Sequence, residues 1–439
     1  MTPQTDSVQM LQETLQGNRR SQTGGVYAIC SAHPWVIDAG IKQVIEDGAV
    51  LHVESTSSQV NQDGGYTGQT PSQFADFIYS TAGRAGISAD RVMLGGDHLG
   101  PFPWRNQKAV SAMEKACHLV RACVLAGYRK IHLDASMACA DDREGPLADS
   151  IIAERAAILA DAAEKAFKEL PQRSRAPLYV IGTEVPPPGG ELNHSGPPVV
   201  TTVDHVDRTL EIFRAAFDNR GLVEAWERVI GLVVQPGVEF GDTVVFNYDR
   251  EKAYSLSSRL PEHPALVYEA HSTDYQSSQA LAQMVEDHFA ILKVGPWLTF
   301  AFREAVFALS EIEQEIFDGR KGIKLSQVRQ ALEKAMMRNP SYWTSYYHGT
   351  ESELHMARAY SYSDRCRYYW PESIVEEEVE RLFCNLSDKD LPLTLLSQFL
   401  PLQYRAVRAG QLQPRPKEIV RDHIQTVLRM YAQACSMRK

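Results

Sequence analysis

Eight short apolar runs recur along the chain, and amphipathic stretches of helical length separate them. The runs are GVYAICSAH (25–33), AVLHVESTS (49–57), RVMLGGDH (91–98), KIHLDAS (130–136), PLYVIGTEV (177–185), VIGLVVQPG (229–237), ALVYEAHST (265–273) and FAILKVGP (289–296). They are of strand length and rich in β-branched residues. Between them, segments such as QKAVSAMEKACHLVRACVLAG (107–127) repeat apolar residues at i, i+3, i+4 and i+7, the stripe of an amphipathic helix. Alternating strand and helix predicts parallel strands joined by right-handed crossovers. Eight such units fit a (β/α)8 TIM barrel better than the open doubly wound sheet that the same alternation also allows.

The pattern changes near residue 315. From there ALSEIEQEIFDG, LSQVRQALEKAMMRNP, SIVEEEVERLFCNL and RPKEIVRDHIQTVLRMYAQA are helical, and no convincing strand intervenes. The expected organisation is an N-terminal helix or arm over 1–20, a barrel carrying the site over 21–314, and a helical C-terminal region over 315–439. Aromatic clusters at 341–349 and 359–371 read as packing of that region onto the barrel or a second subunit, in preference to ligand contact.

Composition narrows the class. The 439 residues are 44% hydrophobic and 23% charged, ordinary for a soluble globular protein that buries its core without disulfides or structural metal. A net charge of −10 and the lack of a basic stripe argue against a nucleic-acid partner. With no apolar run of about 18 residues and a polar N-terminus, neither a membrane helix nor a signal peptide is expected. Seven scattered cysteines without a CxxC pair read as reduced thiols of a cytoplasmic protein.

Barrel enzymes carry their chemistry at the C-terminal strand ends, and nearly every run here closes on polar groups: Glu54, Asp97 with His98, Asp134 with Ser136, Glu184, Gln235 with Glu239, and His271 with Asp274. Converging carboxylates and imidazoles suit a divalent metal beside an acid or base. In GGDHLGP (95–101), adjacent strand residues would point to opposite faces. Asp97 and His98 share one site only if the strand turns there, which Gly95 and Gly96 permit and Gly100-Pro101 ends. His98 is then a metal ligand and Asp97 a general acid/base, against the alternative of a capping aspartate beside a core histidine. His132, Asp134 and Ser136 share one face; Asp134 is the catalytic candidate, and His132 reads equally well as a core histidine. Glu184 and His271 join His98 as expected metal ligands, with Glu269 deeper on the His271 face. The loop at 55–71 offers Asn61, Gln62 and Tyr66 to a polyhydroxylated ligand, its glycines letting it close. Lys293 precedes a Gly-Pro turn into a helix and could hold an anion; a Schiff-base role is the minor reading. Glu54, Ser136, Gln235, Glu239 and Asp274 complete the expected substrate-binding set.

Taken together, STSSQVNQDGGYTGQTPSQF, GGDHLGPFPW, HLDASMACADD, IGTEVPPPGG and EAHSTDYQS resemble the GatZ/KbaZ (AgaZ-like) family of tagatose-bisphosphate aldolase subunits, over roughly residues 20–430. That family is similar to class II ketose-bisphosphate aldolases, which are zinc-dependent (β/α)8 barrels. The resemblance implies Asp97 as acid/base, His98 as zinc ligand, Glu184 near the metal and His271 as the histidine after the seventh strand. It also implies metal-dependent, retro-aldol-type chemistry on a ketohexose or ketohexose bisphosphate, in tagatose, galactitol or N-acetylgalactosamine catabolism, with zinc foremost among divalent metals. One departure follows His271: class II aldolases continue with a glycine-rich phosphate cradle, whereas this chain reads STDYQS. Two alternatives stay open, a metal-dependent 4-epimerase of free tagatose or fructose, and a non-catalytic subunit stabilising a separate class II aldolase. A homo- or hetero-oligomer is expected under each.

Overall fold

The structure, a computed structural model, describes residues 6–20, 24–172, 174–184, 196–260, 265–387 and 390–436. Eight parallel strands close into a barrel in sequence order: β1 (Val26–Ile29), β2 (Leu51–Thr56), β3 (Val92–Leu99), β4 (Lys130–Leu133), β5 (Leu178–Ile181), β6 (Val229–Val234), β7 (Val267–Ala270) and β8 (Ile291–Val294). Each of the eight apolar runs supplies one strand. β8 pairs back onto β1, from Val26 with Ile291 to Ile29 with Val294, and this closure separates the fold from an open sheet.

Alternation along each strand sorts its side chains into two populations. Leu51, Val53, Ile131, Leu133, Leu292 and Val294 face outward into the continuous core beneath the helices. Met93, Val180, Val267 and Ile291 face inward near the amino ends of the strands, where they meet Val8, Leu11 and Leu15 of the helix Ser7–Arg19. That helix lies across the lower mouth of the barrel. Its start is capped by Asp6, which accepts from the Gln9 amide, and its end is tied down by Asn18, which donates to the carbonyls of Gly24 and Val285. Each of its three buried aliphatic side chains contributes about 1.5–3 kcal/mol of burial.

The helix Pro296–Phe317 follows β8 and runs unbroken across residues 314 and 315, the expected border between the barrel and the helical C-terminal region. The helix Pro416–Ser436 packs against Pro296–Phe317, Pro34–Asp47 and Ser278–Glu286. Its Tyr431 hydroxyl donates to the Thr273 carbonyl just beyond β7. A short antiparallel pair, Glu239–Phe240 with Val245–Phe246, is absent from the expectations above because two-residue strands carry no periodicity. Among the described residues, no helix is long and apolar enough to cross a membrane.

Candidate active site

The turn expected at Asp97-His98 exists, but its mechanism differs from the one expected. Between Gly96 and Leu99 the register of β3 against β4 slips by one residue, a β-bulge that re-aims side chains. His98 itself takes the left-handed conformation, with φ 48°, so the glycines do not carry the strained torsion. Gly95 and Gly100 provide clearance instead. A Cβ on Gly95 would stand 2.7 Å from Glu54 Cγ, and one on Gly100 would stand 1.6 Å from the Asp134 carbonyl oxygen. At the end of β7, Ser272 and Tyr275 are also left-handed, with φ 53° and 64°. Such non-glycine torsions cost on the order of 1–3 kcal/mol each and persist where the surroundings enforce them.

The upper barrel interior is charged where such barrels are usually filled with branched apolar side chains. Lys130 Nζ lies 2.8 Å from Glu54 Oε1 and 2.7 Å from Glu269 Oε2. Lys293 donates to the other Glu54 oxygen and lies 3.1 Å from Asp97 Oδ1. None of these five side chains is more than 4% exposed. Burial works against every charge, and the partners prevail. Glu54 and Asp97 sit well below the usual carboxylate range, and Glu269 is lowered to about 2, chiefly by the two lysines. Burial would lower Lys293, but Asp97, Glu54 and Glu269 raise it well above its ordinary value. It is therefore held as an ammonium, the wrong form for a Schiff-base nucleophile.

Three histidines stand above this layer, each paired with a carboxylate. His98 Nδ1 is 2.7 Å from Asp134 Oδ2, His132 Nδ1 is 2.9 Å from Asp97 Oδ1, and His271 Nε2 is 2.9 Å from Glu269 Oε1. Their ring centroids are 5.1, 4.9 and 5.2 Å apart. A carboxylate on one ring nitrogen orients the imidazole and leaves the other nitrogen available to a metal. The buried His132 Nε2 has no hydrogen-bond partner. Asp97, His132, Glu269 and His271 each offer one donor atom, all four within 4.8 Å of one another. This grouping differs from the expected trio of His98, Glu184 and His271. It adds His132, which the sequence leaves open as a core residue, and Glu269. Burial lowers His98, but Asp97 and the bond to Asp134 outweigh it and raise the imidazole above its ordinary value. In His271 burial prevails, and its value is lowered to about 4. Cys30, Glu54 and Asp97 also lie close together; burial pushes the Cys30 thiol well up, which keeps it in the protonated form that is a poor ligand.

A cavity of about 310 Å³ opens over this cluster, lined by Asp97, His98, His271, Asp274 and Lys293, within the range of about 300–1,000 Å³ usual for small-molecule sites. Its far wall comes from the C-terminal region: Arg367, Tyr368 and Trp370 line it. The cluster packs as expected, and part of it also lines the cavity. Tyr368 stacks on Tyr342 at 4.6 Å and meets the edge of Tyr66 at 4.6 Å, so the same rings pack and form the wall. Periodicity could not reveal this, because it reports which face is buried and not what the face covers.

The remaining expected residues have other partners. Asn61 accepts from the amides of Asp63 and Gly65 and donates to the Ser57 carbonyl, which shapes its own loop. Gln62 donates to the Lys115 carbonyl. Tyr66 lines the cavity. Ser136 donates to Asp134, one step from His98. Gln235 accepts from the amides of Gly237 and Val238, and Glu239 from that of Phe240. Glu184 accepts from Thr201 and lies 3.7 Å from His205, with its side chain 40% exposed; the loop that follows it, 185–195, is outside the described residues. Lys130 went unremarked in the sequence, although a lysine amid the apolar residues of KIHLD is a signal in itself, since lysine is almost never fully buried unpaired.

The chain is similar to several known proteins. A structure described as a probable tagatose 6 phosphate kinase from Sinorhizobium meliloti 1021 matches at 42% identity with a TM-score of 0.85, covering 94% of this chain and all of that one. The YdjI aldolase of Escherichia coli K12 and the fructose-bisphosphate aldolase of Campylobacter jejuni match at 10% identity with TM-scores of 0.40 and 0.42. Those matches cover 89% and 85% of this chain and 100% and 90% of theirs, and they bear no part of the assignment. Residues 11–436 match the family described as D-tagatose-1,6-bisphosphate aldolase subunit GatZ/KbaZ-like, and the chain belongs to that family.

Proposed function

We propose that this chain performs divalent-metal-dependent chemistry of the retro-aldol type on a ketohexose, as a tagatose-bisphosphate aldolase-type subunit in tagatose, galactitol or N-acetylgalactosamine catabolism. The observation that carries the reading is the set of three carboxylate–histidine pairs, with rings about 5 Å apart, at the mouth of the barrel. The donor set fits a cation. Among the described residues, Glu54, Asp97, Asp134 and Glu269 face two ammonium groups, Lys130 and Lys293, besides the histidines, and a divalent ion would offset part of the remaining negative charge. His132 and His271, with Asp97 and Glu269, would hold it; His98 stands beside them, and zinc suits so many imidazoles. A bound divalent cation supplies Lewis acidity to the ketose carbonyl.

The chain's own residues would position the sugar and move protons. Cleavage between C3 and C4 needs a base for the C4 hydroxyl proton, while the C3–C4 electron pair is left on C3 and delocalises toward the C2 carbonyl. His98, 3.7 Å from Asp97 and outside the four donors, would exchange that proton with the sugar. Asp134 orients His98. Inversion at C4 begins with the same cleavage and ends with bond formation at the other carbonyl face. The glycine-free STDYQS segment favours this second reading for an unphosphorylated sugar.

The test is metal content of the chain purified alone, with turnover of tagatose 1,6-bisphosphate and of free tagatose and fructose. About one divalent ion per chain and turnover of at least one sugar are expected, with both lost in His132→Ala. Absence of metal and turnover in the intact chain would instead favour the non-catalytic subunit.

A further inference from the structure

We infer that Asp274 excludes phosphate from the side of the cavity formed by the helix after β8, so that the end of the ketohexose seated there carries a free hydroxyl. The sugar's identity rests on the proposed function; the charge it must carry rests on the cavity alone.

The helix Pro296–Phe317 begins at Gly295, and Gly295, Pro296 and Thr299 line the cavity. In barrels of this kind the region after the seventh and eighth strands is where a phosphate commonly sits, because free amides and the helix dipole favour an anion there. In this chain that seat is filled from within. Asp274, in the loop after β7 and only 3% exposed, accepts through Oδ1 from the Gly295 amide at 3.0 Å and the Trp297 amide at 2.9 Å. The helix has no cap from its own N-cap residue; this carboxylate completes it, as an anion at pH above about 6, the value to which burial raises it.

The exclusion is local to these two amides. Among the described residues, Lys293, Arg367 and the raised imidazole of His98 are the cationic groups lining the cavity. Lys293 is engaged with Glu54 and Asp97. Arg367 donates to the carbonyls of Ser363 and Asp364 and to the Tyr368 hydroxyl. Asp97 and Glu376 add further acid to the lining. A dianion at this seat would have to displace the Asp274 carboxylate from the Gly295 and Trp297 amides. A sugar hydroxyl, which can donate, is the complementary group: a carboxylate has about four acceptor positions, and the two amides use two of them.

The experiment titrates inorganic phosphate into the full chain by calorimetry, comparing wild type with Asp274→Ala and Asp274→Asn. Removal of the carboxylate frees the two amides, so Asp274→Ala should gain one phosphate site about tenfold tighter than anything at that position in wild type. Asp274→Asn keeps an acceptor on the amides and should gain none. A folded Asp274→Ala with wild-type phosphate binding overturns the inference. If that variant does not fold, crystals of the wild type grown in phosphate decide: an anion on the Gly295 and Trp297 amides overturns it, and an intact Asp274 contact with no anion there supports it. Loss of all sugar turnover in the wild type would sink the proposed function while leaving the phosphate result unaffected.

Discussion

The two ends of the barrel are built from the same strands and could hardly differ more. At the lower end, Met93, Val267 and Ile291 meet Val8, Leu11 and Leu15 in an apolar plug. One or two positions further along, the same alternation turns Glu54, Lys130, Glu269 and Lys293 inward. The plug gains stability from burial alone. The charged layer must recover the desolvation of four or more ions through pairing, and a well-packed apolar substitute is often at least as stable. Among the described residues the layer lies at the end holding the three histidines, where the proposed chemistry would use it.

The comparison breaks most sharply at Lys130. Lys130→Met leaves Glu54 and Glu269 facing each other with one ammonium lost, and denaturant unfolding should show a loss of about 3–5 kcal/mol. The double variant Lys130→Met/Glu269→Met removes one charge of each sign and should recover at least half of that loss. If it recovers none, the layer is held by packing and the electrostatic account fails. Leu15→Ala, at the other end, should cost about 3 kcal/mol through its cavity and leave metal content untouched. A change in metal content there would mean the two ends are not separable.

Much of this contrast was legible beforehand. The eight strands followed from apolar runs, and the polar strand ends pointed to the upper mouth. Asp97, His98, His271, Asp274 and Lys293 all reach the cavity. Three things were not legible, each for a physical reason. His132 and Lys130 sit inside apolar runs, where only the partner across the barrel distinguishes a functional ion from a buried accident. Asn61 and Gln235 look like ligand donors, but loop turns consume them locally, as Asn and Gln side chains readily do. The wall of Arg367, Tyr368 and Trp370 comes from more than 60 residues beyond the barrel's last strand, a separation over which periodicity has no reach.

Acid titration distinguishes two histidines within the cluster. In the chelator-treated chain His271 is lowered to about 4 by burial, against 6.5 unfolded. The folded state then binds fewer protons than the unfolded state between those values. Its contribution is constant above pH 6.5, and stability falls by on the order of 3 kcal/mol as pH drops toward 4. His98 is raised, so its contribution is full below 6.5 and is lost as pH rises through its folded value. His271→Asn should therefore flatten the acid limb of a stability–pH curve, whereas His98→Asn should flatten the limb that begins above pH 6.5. Identical curves for the two variants would mean that the three rings titrate as one group.

The smallest effect concerns the far wall, which joins neither end of the barrel. Tyr368 lies flat against Tyr342, with 5° between the rings, while its hydroxyl accepts from Arg367 at 2.9 Å. Burial would raise this phenol, yet Arg365 and Arg367 bring it below its ordinary value. Tyr368→Phe keeps the stack and removes only the hydroxyl. The melting temperature should stay near that of wild type, because the ring contacts survive. Affinity for free tagatose, measured by calorimetry, should weaken about fivefold, the equivalent of about 1 kcal/mol for one hydrogen-bonding group. The opposite split, a lower melting temperature with unchanged affinity, would return this cluster to the packing role its aromatic composition suggested, and would confine the ligand to the barrel's own strand ends.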